Sequence, residues 1–477
     1  MIERSRSPLK AMRNLGVALC QPVSSASLGA FRALFGLVML YSLTRFALSG
    51  WVEELWLKPQ LHLKYPFAPW AQVYHPLQVW AQLGLAWGGA LGLTLGLYWR
   101  QSLLLFTVNF VYLQLIDLSN YLNHYYLVTC LSVLLVWTPA GASFSLDALR
   151  SPRVASAFVP RWSVELLRFQ VGVVYLFAAV AKLQPEWLLH AQPLSIWLSA
   201  RAETPVLGSL SALIFEDGMR SGTLAYLMSW AGMLYDLTIV GWLLWPKSRP
   251  WAYLAVLSFH GVTWLLFDIG IFPLIMTCAT TIFFDPSWPR TLYRSARATV
   301  TEPPQRSHRS GLPSRLTACV LGLWLTFQLL FPLRAFLYEG DVLWSERGMR
   351  YSWRVMVREK MGSLTYRVKR PADGRVWEVN PARYLEPRQL SELSGQPDMI
   401  AQLARHIASD FTRRGMGEVQ VFAHAQVSLN GRAPQLLMNP NVDLASSTYE
   451  PEWTLPAPSS APLSPNSALD ARVSHTE

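Results

Sequence analysis

The sequence predicts a mainly α, polytopic membrane helix bundle of about nine spans, with a C-terminal α+β domain outside the membrane. Hydrophobic residues make up 52% of the 477 and charged residues only 15%, where an ordinary soluble domain carries about 25% charge. Crossing a hydrocarbon layer ~30 Å thick takes roughly 20 predominantly apolar residues. Stretches of that kind recur near 28–48, 74–99, 102–118, 121–138, 164–182, 222–245, 250–267, 268–284 and 316–338. Beyond the last one, strand and amphipathic-helix periods take over.

Residues 1–27 form a basic head, MIERSRSPLKAMR, followed by eight spans over 28–284. NLGVALC is too short, and lacks the cleavage site, for a separate signal peptide, so the first span directs insertion. The net charge of +11 is not a nucleic-acid signature, because the basic residues collect in alternate loops. These are the head, YWRQS, the loop with Arg150, Arg153 and Arg161, the turn PKSRP, and the connection 285–315. All five fall on one side if the spans alternate, so the N-terminus is expected in the cytoplasm and the C-terminal domain outside it, periplasmic or lumenal. The partner this implies is the lipid bilayer, with no nucleic acid.

The linker 285–315, rich in Pro, Ser and Arg, leads into the span 316–338 and then an extracytoplasmic domain over 339–445. There SLTYRVKRPADGRVWEV alternates about a Pro-Ala-Asp-Gly turn and reads as a hairpin. Ile400, Leu403, Ile407 and Phe411 recur at helical spacing, and Val419 to Leu429 alternate as a strand. The remaining residues, 446–477, are too poor in apolar side chains to pack and are expected to be disordered. Cys20, Cys130, Cys278 and Cys319 lie in or beside spans, so no disulfide framework is implied. Phosphate loops, Cys-x-x-Cys, His-Glu-x-x-His and the nucleophile elbow are absent, which leaves metal and nucleotide chemistry unsupported.

Ionisable residues inside spans are costly and are functional candidates by default. Arg168, Gly172, Tyr175, Ala179 and Lys182 share one helical face, a polar and small stripe climbing about 21 Å to the outer end of its span. The short outer turn DLSNYLNHYY brings Asp117, Asn120, Asn123 and His124 to the level of Lys182. His260 and Asp268 lie in and after the seventh span, and Asp236 is placed deeper, towards the cytoplasmic half. Each has a plainer reading. A lysine at a span end snorkels to headgroups, and Asn123, His124, Asp236 and His260 serve equally as interhelical hydrogen-bonding glue.

RALFGLVMLY, LGLTLGLYWR, NHYYL, LRFQVGVVYLFAAVAKLQPEW, LYDLT, LSFH with FDIGIF, DPSWPR, YSWRVMV, EVNP, VSLN and NPNVDL occur in this order. As a set they resemble the vitamin K-dependent gamma-glutamyl carboxylases, in a compact bacterial-type form, from about residue 32 to about 444. The resemblance implies that Lys182 is the base that deprotonates vitamin K hydroquinone, the co-substrate. It places Asn123 and His124 in the same pocket as catalytic residues, with His260, Arg168, Tyr175 and Thr263 on the cofactor side, and Tyr351, Ser352 and Trp353 as the stretch that docks the glutamate substrate. It also implies dioxygen and carbon dioxide as further co-substrates, a glutamate-containing protein or peptide as partner, a quinone reductase to recycle the epoxide, and no metal. In the family, oxygen adds to the deprotonated hydroquinone to give an alkoxide, which makes the glutamyl carbanion that captures carbon dioxide while the vitamin becomes its epoxide.

Elementary chemistry agrees with this. A free lysine, with a pKa near 10.4, is no base at neutral pH, and burial favours its uncharged form. No side chain removes the proton beside a glutamate carboxylate, so that step belongs to a cofactor. Two departures from the family pattern stand out: Ala181-Lys182 replaces a Lys-Lys pair, and Thr263 replaces the Asn of animal members. The competing readings are a transporter or binding protein for a lipophilic or acidic ligand, and a quinone epoxidase that does not carboxylate.

Overall fold

The structure, a computed structural model, describes residues 16–201, 222–296, 314–448 and 452–462. The head to residue 15, most of the linker expected over 285–315 and most of the tail expected over 446–477 lie outside the described residues.

The chain is mainly helical, and a helix stands at each apolar stretch. These are α1 (Ala26–Leu48), α2 (Pro76–Leu95), α3 (Trp99–Leu115), α4 (Asn123–Val136), α5 (Trp162–Lys182), α6 (Thr223–Leu244), α7 (Arg249–Leu266), α8 (Phe272–Ala279) and α9 (Arg315–Leu330). Among the described residues, four helical segments are long and apolar enough to cross a membrane: Ala26–Leu48, Trp162–Lys182, Thr223–Leu244 and Arg315–Leu337. The expected count of nine is therefore not met by length and composition. The α4 helix is apolar but has 14 residues, a rise of about 21 Å against ~30 Å of hydrocarbon. Gln78 and Gln82 dilute α2, and Arg100, Gln101, Asn109 and Gln114 dilute α3.

Two short strands, β1 (Pro22–Ser24) and β2 (Phe158–Pro160), pair antiparallel ahead of α1 and α5. Arg32 on α1 is fully buried, and its guanidinium donates to the carbonyls of Leu93, Ala140 and Phe144. A buried charge is tolerated there because polar acceptors surround it.

The α2 and α3 helices form a hairpin whose axes meet at Gly89, where an added Cβ would lie 2.6 Å from the Phe106 nitrogen and 2.7 Å from the Ser102 carbonyl. Only glycine allows that approach. Gly89→Leu is expected to destabilise the chain by about 1–3 kcal/mol through overpacking, read as a lower thermal midpoint in detergent. Gly88→Leu should leave the midpoint unchanged, since a Cβ there meets nothing within 4 Å.

After α9 the chain builds an antiparallel sheet of order β4-β3-β5-β6, from β3 (Lys360–Lys369), β4 (Val376–Val379), β5 (Gln420–Leu429) and β6 (Gln435–Leu436). The Pro-Ala-Asp-Gly hairpin forms as the sequence predicts, with Gly374 at φ 71°. The long partner of β3 is β5, in register from Lys360↔Leu429 to Lys369↔Gln420, with α10 (Pro387–Leu393) and α11 (Pro397–Arg413) on the crossover. Ile400, Leu403, Ile407 and Phe411 of α11 are buried beside the inward residues of β5 in one apolar core.

This region is fastened to the helices. Gln389 Nε2 donates to Asp117 Oδ2 at 2.6 Å and to the Leu61 carbonyl at 2.8 Å. Gln402 exchanges two hydrogen bonds with the backbone of Lys64, and Arg432 pairs with Glu186.

Candidate functional site

Lys182 ends α5 with its Nζ 2.8 Å from Asp236 Oδ2 on α6. The pair is 5% and 6% exposed. The ammonium also approaches the carbonyls of Ala178 and Val355, each at 3.4 Å, and lies 5.3 Å from the Trp187 ring. Asp236 is level with Lys182, not deeper than it as the sequence suggested. The first turns of α6 run beside the short helix Pro185–His190, where Trp187 Nε1 donates to the Ser229 carbonyl at 2.7 Å. That stagger raises Asp236 to the level of Lys182.

Two turns further down α5, Tyr175 Oη lies 3.2 Å from His260 Nε2 on α7 and 3.3 Å from Tyr235 Oη on α6. His260 is 3% exposed, and its Nδ1 has no hydrogen-bond partner among the described residues. Lys182, Asp236, Tyr175 and His260 share an apolar pocket with Trp187, Phe259 and Phe272. The pocket is tight, about 70 Å³, but Met228, Met276 and Met356 are among its walls, and unbranched methionines repack readily. Thr263 lines it too, with its hydroxyl turned back onto the His260 carbonyl at 3.1 Å.

Not every residue expected in this pocket reaches it. Arg168 lies more than three turns below Lys182 and donates to the carbonyls of Ile282 and Phe284 at 2.9 and 3.0 Å, while pairing with Glu165. Asn123 and His124 line a separate outer cavity of about 740 Å³, which adjoins the inner pocket along a shared wall of Phe267, Ile269, Phe272, Val355 and Met356. Asn123 Nδ2 donates to the Arg354 carbonyl at 3.4 Å and its Oδ1 accepts from Tyr121 at 3.0 Å. Asp117 faces Gln389 rather than the pocket.

Tyr351, Ser352 and Trp353 line neither cavity. Trp353 is fully buried and stacks on Tyr126 at 4.7 Å, the Tyr351 amide donates to Tyr121 Oη at 2.7 Å, and Ser352 accepts from Arg334 at 3.1 Å. Tyr351, Trp353 and Met356 hold φ of 61°, 55° and 55°, a left-handed geometry that non-glycine residues keep only when their surroundings impose it. The segment is thus braced so that Val355 and Met356 stand between the two cavities. Its base is held by Glu346, which pairs with Arg358 and Lys360. Although burial pushes the Glu346 carboxyl up, those two cations hold it below its usual range.

Sequence reasoning missed Asp236 as the partner of Lys182, and Tyr235 altogether. A signal was present: Ser229, Gly232 and Asp236 form a polar and small stripe on α6 like that on α5. No group of His, Cys, Asp and Glu suited to a metal occurs among the described residues.

A family model described as the HTTM domain matches residues 20–288. A second, described as the vitamin K-dependent gamma-carboxylase lumenal domain, matches residues 313–459. No solved structure matches the chain.

Proposed function

Because the chain belongs to the vitamin K-dependent gamma-glutamyl carboxylase family, we propose that it is a multi-pass membrane enzyme coupling epoxidation of vitamin K hydroquinone to gamma-carboxylation of protein glutamate with carbon dioxide. The observation that carries this reading is the Lys182–Asp236 pair buried at an apolar pocket.

The residues present fit a reduced naphthoquinone. With Tyr175 donating to Nε2, a neutral His260 keeps its proton on Nδ1, the atom without a partner, and offers it to a ring oxygen. The aromatic and methionine walls suit a flat lipophilic ring. When bound, the reduced vitamin together with dioxygen supplies a base strong enough for a carbon acid, which no side chain here is.

Lys182 and Asp236 together accept the hydroxyl proton that starts the reaction. Trp187 and the apolar walls keep water from the pair. With the C-terminal region on the lumenal side, the outer cavity would open towards the periplasm or lumen, and a quinone reductase would return the epoxide to the reduced form.

The test supplies purified protein in detergent with reduced vitamin K, labelled carbon dioxide and a short glutamate peptide, and assays epoxide and fixed label separately. Both products are expected. Epoxide alone would cut the reading to an epoxidase, and neither product would overturn it.

A further inference from the structure

The outer cavity holds two guanidinium groups from distant parts of the chain. Arg45 comes from the outer end of α1 and Arg388 from α10 of the sheet-bearing region. Neither forms an ion pair with a described residue, and Tyr125 lines the same cavity. Arg45 rests on the Trp51 ring at 4.5 Å, which leaves the edge of its guanidinium able to donate.

His124 adds a second, independent sign of a ligand. It is 7% exposed and lines this cavity, yet its ring makes no hydrogen bond with any described residue. The acids of the cavity are otherwise engaged or exposed. Asp268 is bridged to Arg201, Glu392 accepts from Gln396, and Glu54 is exposed. Buried or half-buried cations without acidic partners, around a space large enough for a side chain, match an anion that enters from water.

We propose that this cavity is the carboxylate-docking site for an acidic side chain of a polypeptide, with Arg45 and Arg388 binding the carboxylate and His124 donating to it. The assignment rests on the carboxylase reading and moves the glutamate site from Tyr351–Trp353 to the cavity those residues brace. The geometry then makes chemical sense. The cavity shares its wall of Phe272, Val355 and Met356 with the inner pocket that Lys182 and His260 line.

The experiment uses the full chain in nanodiscs. It measures binding of a fluorescent glutamate-containing peptide by anisotropy, and carboxylation of the same peptide over a range of concentrations. Arg45→Gln and Arg388→Gln should each raise Kd and KM by about tenfold or more, with a smaller fall in kcat. Arg388→Lys should recover part of the affinity, which a misfolded chain would not. Replacing the peptide's glutamate with glutamine should weaken binding to the wild type but barely affect binding to the variants. Unchanged Kd and KM in both Gln variants would overturn the site. If the wild type makes both products while KM ignores the arginines, the site falls and the carboxylase reading stands. If the wild type binds peptide in an arginine-dependent way but makes neither product, the site stands and the catalytic reading falls.

Discussion

Lys182→Ala is expected to abolish epoxide formation while the protein still inserts in membranes. A positioned base contributes about 10²–10⁴-fold to a proton transfer, and removing Nζ takes away the only amine that lines the inner pocket among the described residues. Alanine also leaves the Asp236 carboxylate without its partner, so lost packing could be mistaken for lost chemistry. Lys182→Met removes the packing part of this ambiguity, because it keeps the length and apolar bulk of the side chain, while Asp236 loses its partner in both variants. Epoxide release by chromatography and membrane yield by blotting give the two readouts. An unchanged epoxide yield in either variant would refute the assignment of the base.

Asp236→Ala is expected to be costly in a different way. Removing one partner of a buried ion pair strands the other, and such changes cost about 3–5 kcal/mol. The stranded group here is the Lys182 ammonium, whose remaining acceptors are two carbonyls at 3.4 Å. The thermal midpoint should therefore drop sharply together with epoxide formation. The double variant Lys182→Met/Asp236→Leu separates the two effects, since replacing a whole buried pair with apolar residues is often neutral or stabilising. It should regain the midpoint and still form no epoxide. A double variant that recovers epoxide formation would show that the pair serves only to hold α5 against α6.

The parts of the fold that were legible in the sequence are those set by local periods. The helices at each apolar stretch, the hairpin at Pro371 to Gly374, the helix with Ile400 to Phe411 and the strand ending at Leu429 all follow from side-chain spacing. The crossing count did not follow, because α4 and α8 are apolar but too short and polar side chains dilute α2 and α3. The pairing of β3 with β5 is set by a crossover that no local pattern reports.

The site divides along the same line. Lys182, Tyr175 and His260 fall together in one pocket because they sit on the inward stripes of α5 and α7. Asp236 was misplaced because sequence position fixes depth only if helices start at one level, and α6 starts further out than the end of α5. Arg168 shared the stripe but not the pocket, since a helical face extends over several turns while a cavity occupies one or two. Arg45 and Arg388 carry no mark in the sequence, since only tertiary structure brings the end of α1 and α10 to one cavity.

The fastenings from Gln389 to Asp117, Gln402 to Lys64 and Arg432 to Glu186 bear on how the two halves stay together. They cross from one family-matched region to the other without using the peptide that joins Ala296 to Ser314. A protease nick in that peptide would break a covalent bond but none of these contacts. The severed pieces would thus remain a single particle, and the halves are fit to be made as separate fragments that reassemble.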